Sequence, residues 1–176
     1  MKKILAFSGS MSNASINHSL IEFTANMIDN AEVSVIRLLN FEAPLYSAER
    51  ENEDGIPEGI LRLRVEFDKS DAFILSTPEY NGSIPGGLKN TIDWLSRTEG
   101  KTFQDKPVFL MATSPGARGG SSVLGHLSAI LPFWGAQLIG PFSFPSFHQN
   151  FIDGKMNAEL KDTLQEHLDS LLDTIK

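Results

Sequence analysis

Ala72-Phe73-Ile74-Leu75-Ser76-Thr77-Pro78-Glu79-Tyr80-Asn81-Gly82-Ser83-Ile84-Pro85-Gly86-Gly87-Leu88-Lys89-Asn90 runs from an unbroken apolar tetrad, through a turn rich in proline and glycine, into a helical period. Ala72–Leu75 lacks the alternation of a half-solvated strand, so it reads as a strand buried on both faces, the habit of a parallel sheet. Leu88, Ile92 and Leu95 then mark one face of a helix. Pro78 and Pro85 stiffen the connection, while Gly82, Gly86 and Gly87 let the backbone approach another surface closely. A rigid backbone of this kind suits a planar heterocycle with donors and acceptors along its edge, and Tyr80 is placed to cover part of its face. Ordinary turn formation and packing of Tyr80 would produce the same residues.

The rest of the chain repeats the pattern. Ile4–Phe7, Val33–Leu38, Val108–Ala112 and Gln137–Ile139 read as further strands. Leu20, Phe23 and Met27 mark a first helix, Leu127, Ile130 and Leu131 another, and Leu160, Leu164, Leu168, Leu171, Leu172 and Ile175 a continuous C-terminal stripe. Leu61, Leu63, Val65 and Phe67 alternate with charged residues, as in a strand. Ile60, Leu63 and Phe67 also fit a helix, and Pro57 suits a first turn, so the segment is expected to be helical. The order βαβαβαβαβα implies an α/β fold, a doubly wound parallel sheet of five strands with helices on both faces, as one domain over residues 1–176. Such sheets bind ligands at the carboxyl ends of the strands, near the switch in strand order. Asn40–Ile56, with Glu42, Glu49, Glu51, Glu53 and Asp54, reads as a long acidic loop, functional or merely solvated.

Composition narrows the chemistry. The 176 residues contain no cysteine, which excludes thiol nucleophiles, redox dithiols, cysteine-ligated clusters and thiolate zinc sites. Any electrons must then reside on a bound group. A formal charge of −7 disfavours nucleic acid or an anionic membrane as the main partner. Lys2 and Lys3 precede only the short apolar run Ile4–Phe7, too short for a secretory leader, and a cytoplasmic protein is expected.

The first strand leads into Phe7-Ser8-Gly9-Ser10-Met11-Ser12-Asn13-Ala14-Ser15-Ile16-Asn17. Hydroxyls, amides and the unpaired N–H groups of a helix start converge there, as a phosphate requires. Ser15 as a plain helix cap, with the other serines as turn formers, accounts for the same stretch. Neither G-x-x-x-x-G-K-[ST] nor G-x-G-x-x-G is present, and no acidic residue ends the strand.

Taken together, Gly9-Ser10 through Ser15-x-Asn17, Pro78-Glu79-Tyr80-Asn81, and Pro85-Gly86-Gly87-Leu88-Lys89-Asn90-x-x-Asp93-Trp94 resemble the NADPH-dependent FMN reductase family. Relatives in that family are described as quinone, chromate and azo reductases. The resemblance extends over essentially the whole chain, including Pro44-Leu45-Tyr46 and Ser114-Pro115-Gly116. It implies a flavodoxin-like sheet of order 2-1-3-4-5 and bound FMN, with NADPH or NADH as hydride donor. By the same resemblance Ser10, Ser15, Ile16 and Asn17 hold the flavin phosphate, and Pro78, Glu79, Tyr80, Asn81 and Gly82 line the ring and ribityl chain. Ser114 and Gly116 approach the ring from the next loop. The family often has arginine where this chain has Ser12, so the phosphate site is expected to rest on main-chain amides and hydroxyls, Ser12 among them.

The implied activity passes hydride from a reduced nicotinamide through FMN to a small acceptor, such as a quinone, free flavin, azo compound or metal oxyanion, with no catalytic side chain. An FMN-binding electron carrier or a flavin-sensing module without turnover is the alternative. The resemblance also implies a homodimer or homotetramer, with Leu88–Arg97 and an exposed or half-buried Trp94 at the interface. His18, His126, His148 and His167 share no metal-ligand spacing, and His18 and His167 are expected on helix surfaces. Glu79 would pair with Lys89 or a partner's arginine, or simply brace its loop. Arg118 is a candidate for the dinucleotide phosphates or a plain loop charge. Phe142, Phe144, Phe147 and Phe151 would pack a core, or else close the site or an interface.

Overall fold

A computed structural model describes residues 1–176. Five strands form one parallel sheet: β1 Lys3–Ser8, β2 Glu32–Arg37, β3 Ala72–Thr77, β4 Lys106–Thr113 and β5 Ala136–Phe144. Their order is β2-β1-β3-β4-β5, so the connection reverses direction beside β1 and the loops after β1 and β3 lie next to one another. Gly9 N–H donates to the Ser76 carbonyl at 2.8 Å where those two loops leave the sheet. A side chain on Gly9 would meet Leu88 Cδ2 at 2.8 Å and Thr77 Oγ1 at 2.9 Å, so only glycine permits that approach.

Seven helices accompany the strands: α1 Ile16–Ala25, α2 Ala48–Asp54, α3 Glu58–Lys69, α4 Gly86–Leu95, α5 Ser121–Ile130, α6 Phe147–Asn150 and α7 Ala158–Thr174. A two-residue hairpin, β6 Phe151–Ile152 with β7 Lys155–Met156, precedes α7. Successive strand residues face opposite layers. Leu5, Phe7, Phe73, Leu75, Val108 and Leu110 pack with α3, α4 and α5, among them Leu63, Phe67, Leu88, Ile92 and Leu127. Ile4, Ala6, Ala72, Ile74, Phe109 and Met111 pack with Leu20 and Ile21 of α1 and Leu164, Leu168 and Leu171 of α7. Both faces of each central strand are buried, which is why those strands carry no polar alternation.

The structure corrects several expectations. Asn40–Ile56 is not one long loop, since Ala48–Asp54 forms α2. Ser47 caps it by accepting from Arg50 N–H at 3.2 Å, and Glu49 and Glu51 sit in the first turn, where the dipole favours carboxylates. None of its residues is buried, so it left no apolar period to read. The first helix ends at Ala25, before Met27, and buries Asn17, His18, Leu20, Ile21 and Thr24. Leu131 lies beyond α5, in a single 3-10 turn with Pro132. Phe142, Phe144 and Phe147 are core residues against α7 and β4, and Phe151 packs on their edge.

Trp94 is fully buried and so offers nothing to an interface. Its Nε1–H donates to the Pro44 carbonyl at 2.7 Å, and the Tyr46 ring stands edge-on to it at 5.0 Å. Asn90 completes the strap, its Oδ1 accepting from Tyr46 N–H at 2.9 Å. Tyr46 in turn donates to Glu51, whose carboxylate is held below its ordinary range chiefly by the Arg97 guanidinium at 3.0 Å.

Candidate functional site

The β1–α1 loop organises itself. Ser8 Oγ accepts from Ser10 N–H at 3.2 Å, Ser10 Oγ from Ser12 N–H at 3.1 Å, and Ser12 Oγ from Ala14 N–H at 3.3 Å. Each serine thus turns the backbone two residues ahead. Ser15 caps α1 through His18 N–H at 3.3 Å, the capping role read from the sequence. Ile16 and Asn17 occupy the first helical positions, where N–H groups have no carbonyl to reach within the helix.

Asn17 fastens this loop to the sheet. Its side chain donates to the Thr113 carbonyl at 3.1 Å and accepts from Thr113 N–H at 3.0 Å and Ser76 Oγ at 2.8 Å. It is 1% exposed, with both carboxamide ends engaged in these bonds. Its neighbour His18 is buried rather than on the surface, at 5% exposure, with Nε2 3.3 Å from Glu22. Burial, with Arg37 adding to it, lowers the His18 pKa. His167 is half-buried, stacked 5.4 Å from the Phe109 ring, and burial lowers its pKa too.

The β3–α4 loop is a hairpin-like turn. Tyr80 and Ser83 exchange main-chain hydrogen bonds at 3.1 Å, with Asn81 at φ 51° and Gly82 at φ 75°. Asn-Gly is the pair that tolerates positive φ at both central positions of such a turn. Tyr80 stands half exposed at 50%. Ser83 Oγ lies 3.0 Å from Nδ1 of His126 on α5.

Within the chain Glu79 does not pair with Lys89 but acts as a brace. One of its carboxylate oxygens accepts from Ser122 N–H at 2.9 Å and Val123 N–H at 3.0 Å, in the first turn of α5. Gly120, the residue before that helix, has no side chain to cap it, so Glu79 caps α5 from another loop. Lys89 pairs instead with Asp93 at 2.6 Å. Arg118 donates to Ser122 Oγ at 2.8 Å and is exposed. In the β4–α5 loop, Ser114 Oγ donates to the Gly116 carbonyl at 3.0 Å, and Ser146 N–H reaches the same carbonyl at 2.9 Å.

These three loops enclose a cleft of about 290 Å³ lined by Ser10, Ser12, Ala14, Ser15, Ile16, Asn17, Pro78, Glu79, Tyr80, Thr113, Ser114 and Pro115. Nine of the twelve residues expected from sequence line it. Asn81, Gly82 and Gly116 lie on the same loops but outside the lining. Ala14, Thr113 and Pro115 were missed. Ala14 and Pro115 sit inside motifs already recognised, whereas Thr113 enters through the bond from Asn17, which no local pattern announces. The donor set fits FMN. Its lining combines serine hydroxyls and helix-start amides, as a phosphate needs, with the flat, mostly carbon surfaces of Pro78, Tyr80 and Pro115. The one carboxylate in the lining is already bound to α5.

A parallel sheet of this order, with a serine-rich helix start and a rigid turn meeting at its switch point, defines a flavodoxin-like mononucleotide-binding protein. The model of the NADPH-dependent FMN reductase family matches residues 2–149, and the chain belongs to that family. It is accordingly an FMN-dependent oxidoreductase with a reduced nicotinamide as electron donor. It is 32% identical over 165 residues to a quinone reductase of Escherichia coli strain K12, covering 93% of this chain and 86% of that one. It is 31% identical over 183 residues to an NAD(P)H-dependent FMN reductase of Pseudomonas aeruginosa, covering 96% and 92%. Among solved structures, the flavoenzyme NAD(P)H:(acceptor) oxidoreductase FerB of Paracoccus denitrificans superposes with a TM-score of 0.83 at 29% identity, over 99% of this chain and 97% of that one. No helix is long and apolar enough to cross a membrane.

Proposed function

We propose that this protein holds FMN with its phosphate at the start of α1 and its ring beside Pro78–Tyr80 and Ser114–Pro115, and passes hydride from NADPH or NADH to a small acceptor. Quinones, free flavin, azo compounds and metal oxyanions are the acceptor classes. The observation that carries this is the convergence of three loops, remote in sequence, on one cleft whose lining combines hydroxyl and helix-start donors with proline and tyrosine surface.

Bound FMN supplies the hydride chemistry, and the chain's own residues bind and orient it. Ser10, Ser12 and Ser15 hydroxyls and the Ile16 and Asn17 amides receive the phosphate. Tyr80 and Ser83 spend their amides on the turn, whereas Glu79, Asn81, Gly82 and Gly116 have N–H groups with no partner within the chain. Of these, the Glu79 amide belongs to a residue of the cleft lining and is the one available to stabilise negative charge on the ring, as a donor in an oxyanion hole does. Donor and acceptor use the open side of the cleft in turn, so the cycle is ping-pong.

Self-association as a dimer or tetramer and residence in the cytoplasm belong to the same proposal. Leu45 and Phe133 are large apolar side chains left exposed to a second copy; a reduced nicotinamide is an intracellular donor. Sedimentation as a monomer at micromolar concentration would overturn the assembly. For the activity, FMN-loaded protein mixed anaerobically with NADPH or NADH in a stopped-flow instrument should lose its oxidised-flavin band within seconds. No bleaching with either nucleotide would leave an electron carrier or a flavin sensor instead.

A further inference from the structure

The phosphate loop has one cationic side chain bonded to it, and that side chain comes from the neighbouring strand. Arg37 ends β2 directly beside Ser8 in the sheet register, and its Nη1 donates to the Asn13 carbonyl at 3.1 Å. The other cations at this end of the sheet are engaged elsewhere, Lys89 with Asp93 and Arg118 with Ser122. A trans peptide points its carbonyl and its N–H in opposite directions. Holding the Asn13 carbonyl outward therefore turns the Ala14 N–H back towards the loop, where it meets Ser12 Oγ at 3.3 Å and where Ala14 lines the cleft. His18, also at this end of the sheet, has its pKa lowered by burial and by Arg37, whereas the Arg37 guanidinium is a permanent positive charge. The Glu22 carboxylate, largely exposed, lies 3.3 Å from His18.

We propose that Arg37 is a positioning residue that sets the preference for a phosphorylated flavin over the same flavin without its phosphate. It orients the Asn13–Ala14 peptide and places a guanidinium one peptide away from the hydroxyls and amides that receive the phosphate. The inference rests on the proposed flavin site and adds the source of its charge, which Ser12 does not supply.

The test titrates wild-type, R37L, R37Q and R37K apoprotein with FMN and with riboflavin, following quenching of flavin fluorescence. Circular dichroism checks folding of each variant. R37L and R37Q should weaken FMN about tenfold while moving riboflavin by less than about threefold, since only FMN presents the charge. R37K, which keeps the charge, should recover most of the loss. Added salt should weaken FMN binding to wild type more steeply than to R37Q. Equal losses for both flavins, or FMN binding indifferent to Arg37, would overturn the inference while leaving the flavin site intact. Folded wild-type protein that binds neither flavin would overturn the proposed function itself, and this inference with it.

Discussion

Replacing Glu79 with alanine should loosen the start of α5 and the ring loops together. The carboxylate is the only side-chain acceptor for Ser122 and Val123 N–H, because Gly120 has nothing to offer. Hydrogen bonds to a charged acceptor contribute about 1.5–3 kcal/mol each at most. Here water reaches the partly buried helix end once the carboxylate is gone, so the loss of a cap, about 1–2 kcal/mol, is the better guide. For a chain of this length that corresponds to a fall in Tm of about 2–8 °C. E79Q keeps an oxygen acceptor but loses the charge opposite the helix dipole, a cost of about 0.3–1 kcal/mol, and should fall by about 1–4 °C. Thermal unfolding of apoprotein by circular dichroism reads this directly. FMN titration of the same samples should show weaker binding in the order wild type, E79Q, E79A, because Glu79 joins the β3–α4 loop to the start of α5 beside the proposed ring site. An E79A protein melting within about 1 °C of wild type, with unchanged FMN affinity, would refute the clamp.

N17A should be more damaging than E79A, by about 2–4 kcal/mol, since it leaves Thr113 N–H and Ser76 Oγ buried without partners, and urea unfolding should show it. G9A should weaken FMN binding and lower Tm together, because its methyl would drive Thr77 and Leu88 away from the phosphate loop. His167 gives a pH dependence. Its folded pKa lies below its ordinary 6.5, so its contribution to stability is present above 6.5 and lost as pH falls through the lowered value. Comparing Tm at about pH 7.5 and about pH 5.5, above and below the ordinary value, H167Q should lose less than wild type; equal losses would refute the assignment. The Tyr46 pKa is raised by its hydrogen bond to Glu51, so E51Q should lower the pH at which one tyrosinate band appears in the ultraviolet spectrum.

The fold was legible because parallel strands buried on both faces write themselves as apolar runs, and Ile4–Phe7, Ala72–Leu75 and Val108–Ala112 are such runs. Nine lining residues were legible because they sit in loops whose turn and cap residues mark them locally, Ser15 as the cap of α1 and Pro78–Tyr80 beside the Asn81-Gly82 turn at positive φ. What stayed hidden depends on partners distant in sequence. Glu79 is one of many carboxylates until α5 is seen to lack a cap of its own. Trp94 is buried only because residues 43–46 fold back across it. Arg37 reads as a strand terminus until the register places it against the first loop. α2, fully solvated, had no buried face to impose a period.

A crystal structure of the protein with FMN is the most direct measurement. The phosphate should lie within hydrogen-bonding reach of Ser10, Ser12 and Ser15 and of the first amides of α1, with the ring beside Pro78–Tyr80 and Ser114–Pro115. A phosphate bound away from the start of α1, or a ring seated at any other surface, would contradict the assignment of this cleft and the route proposed for the electrons.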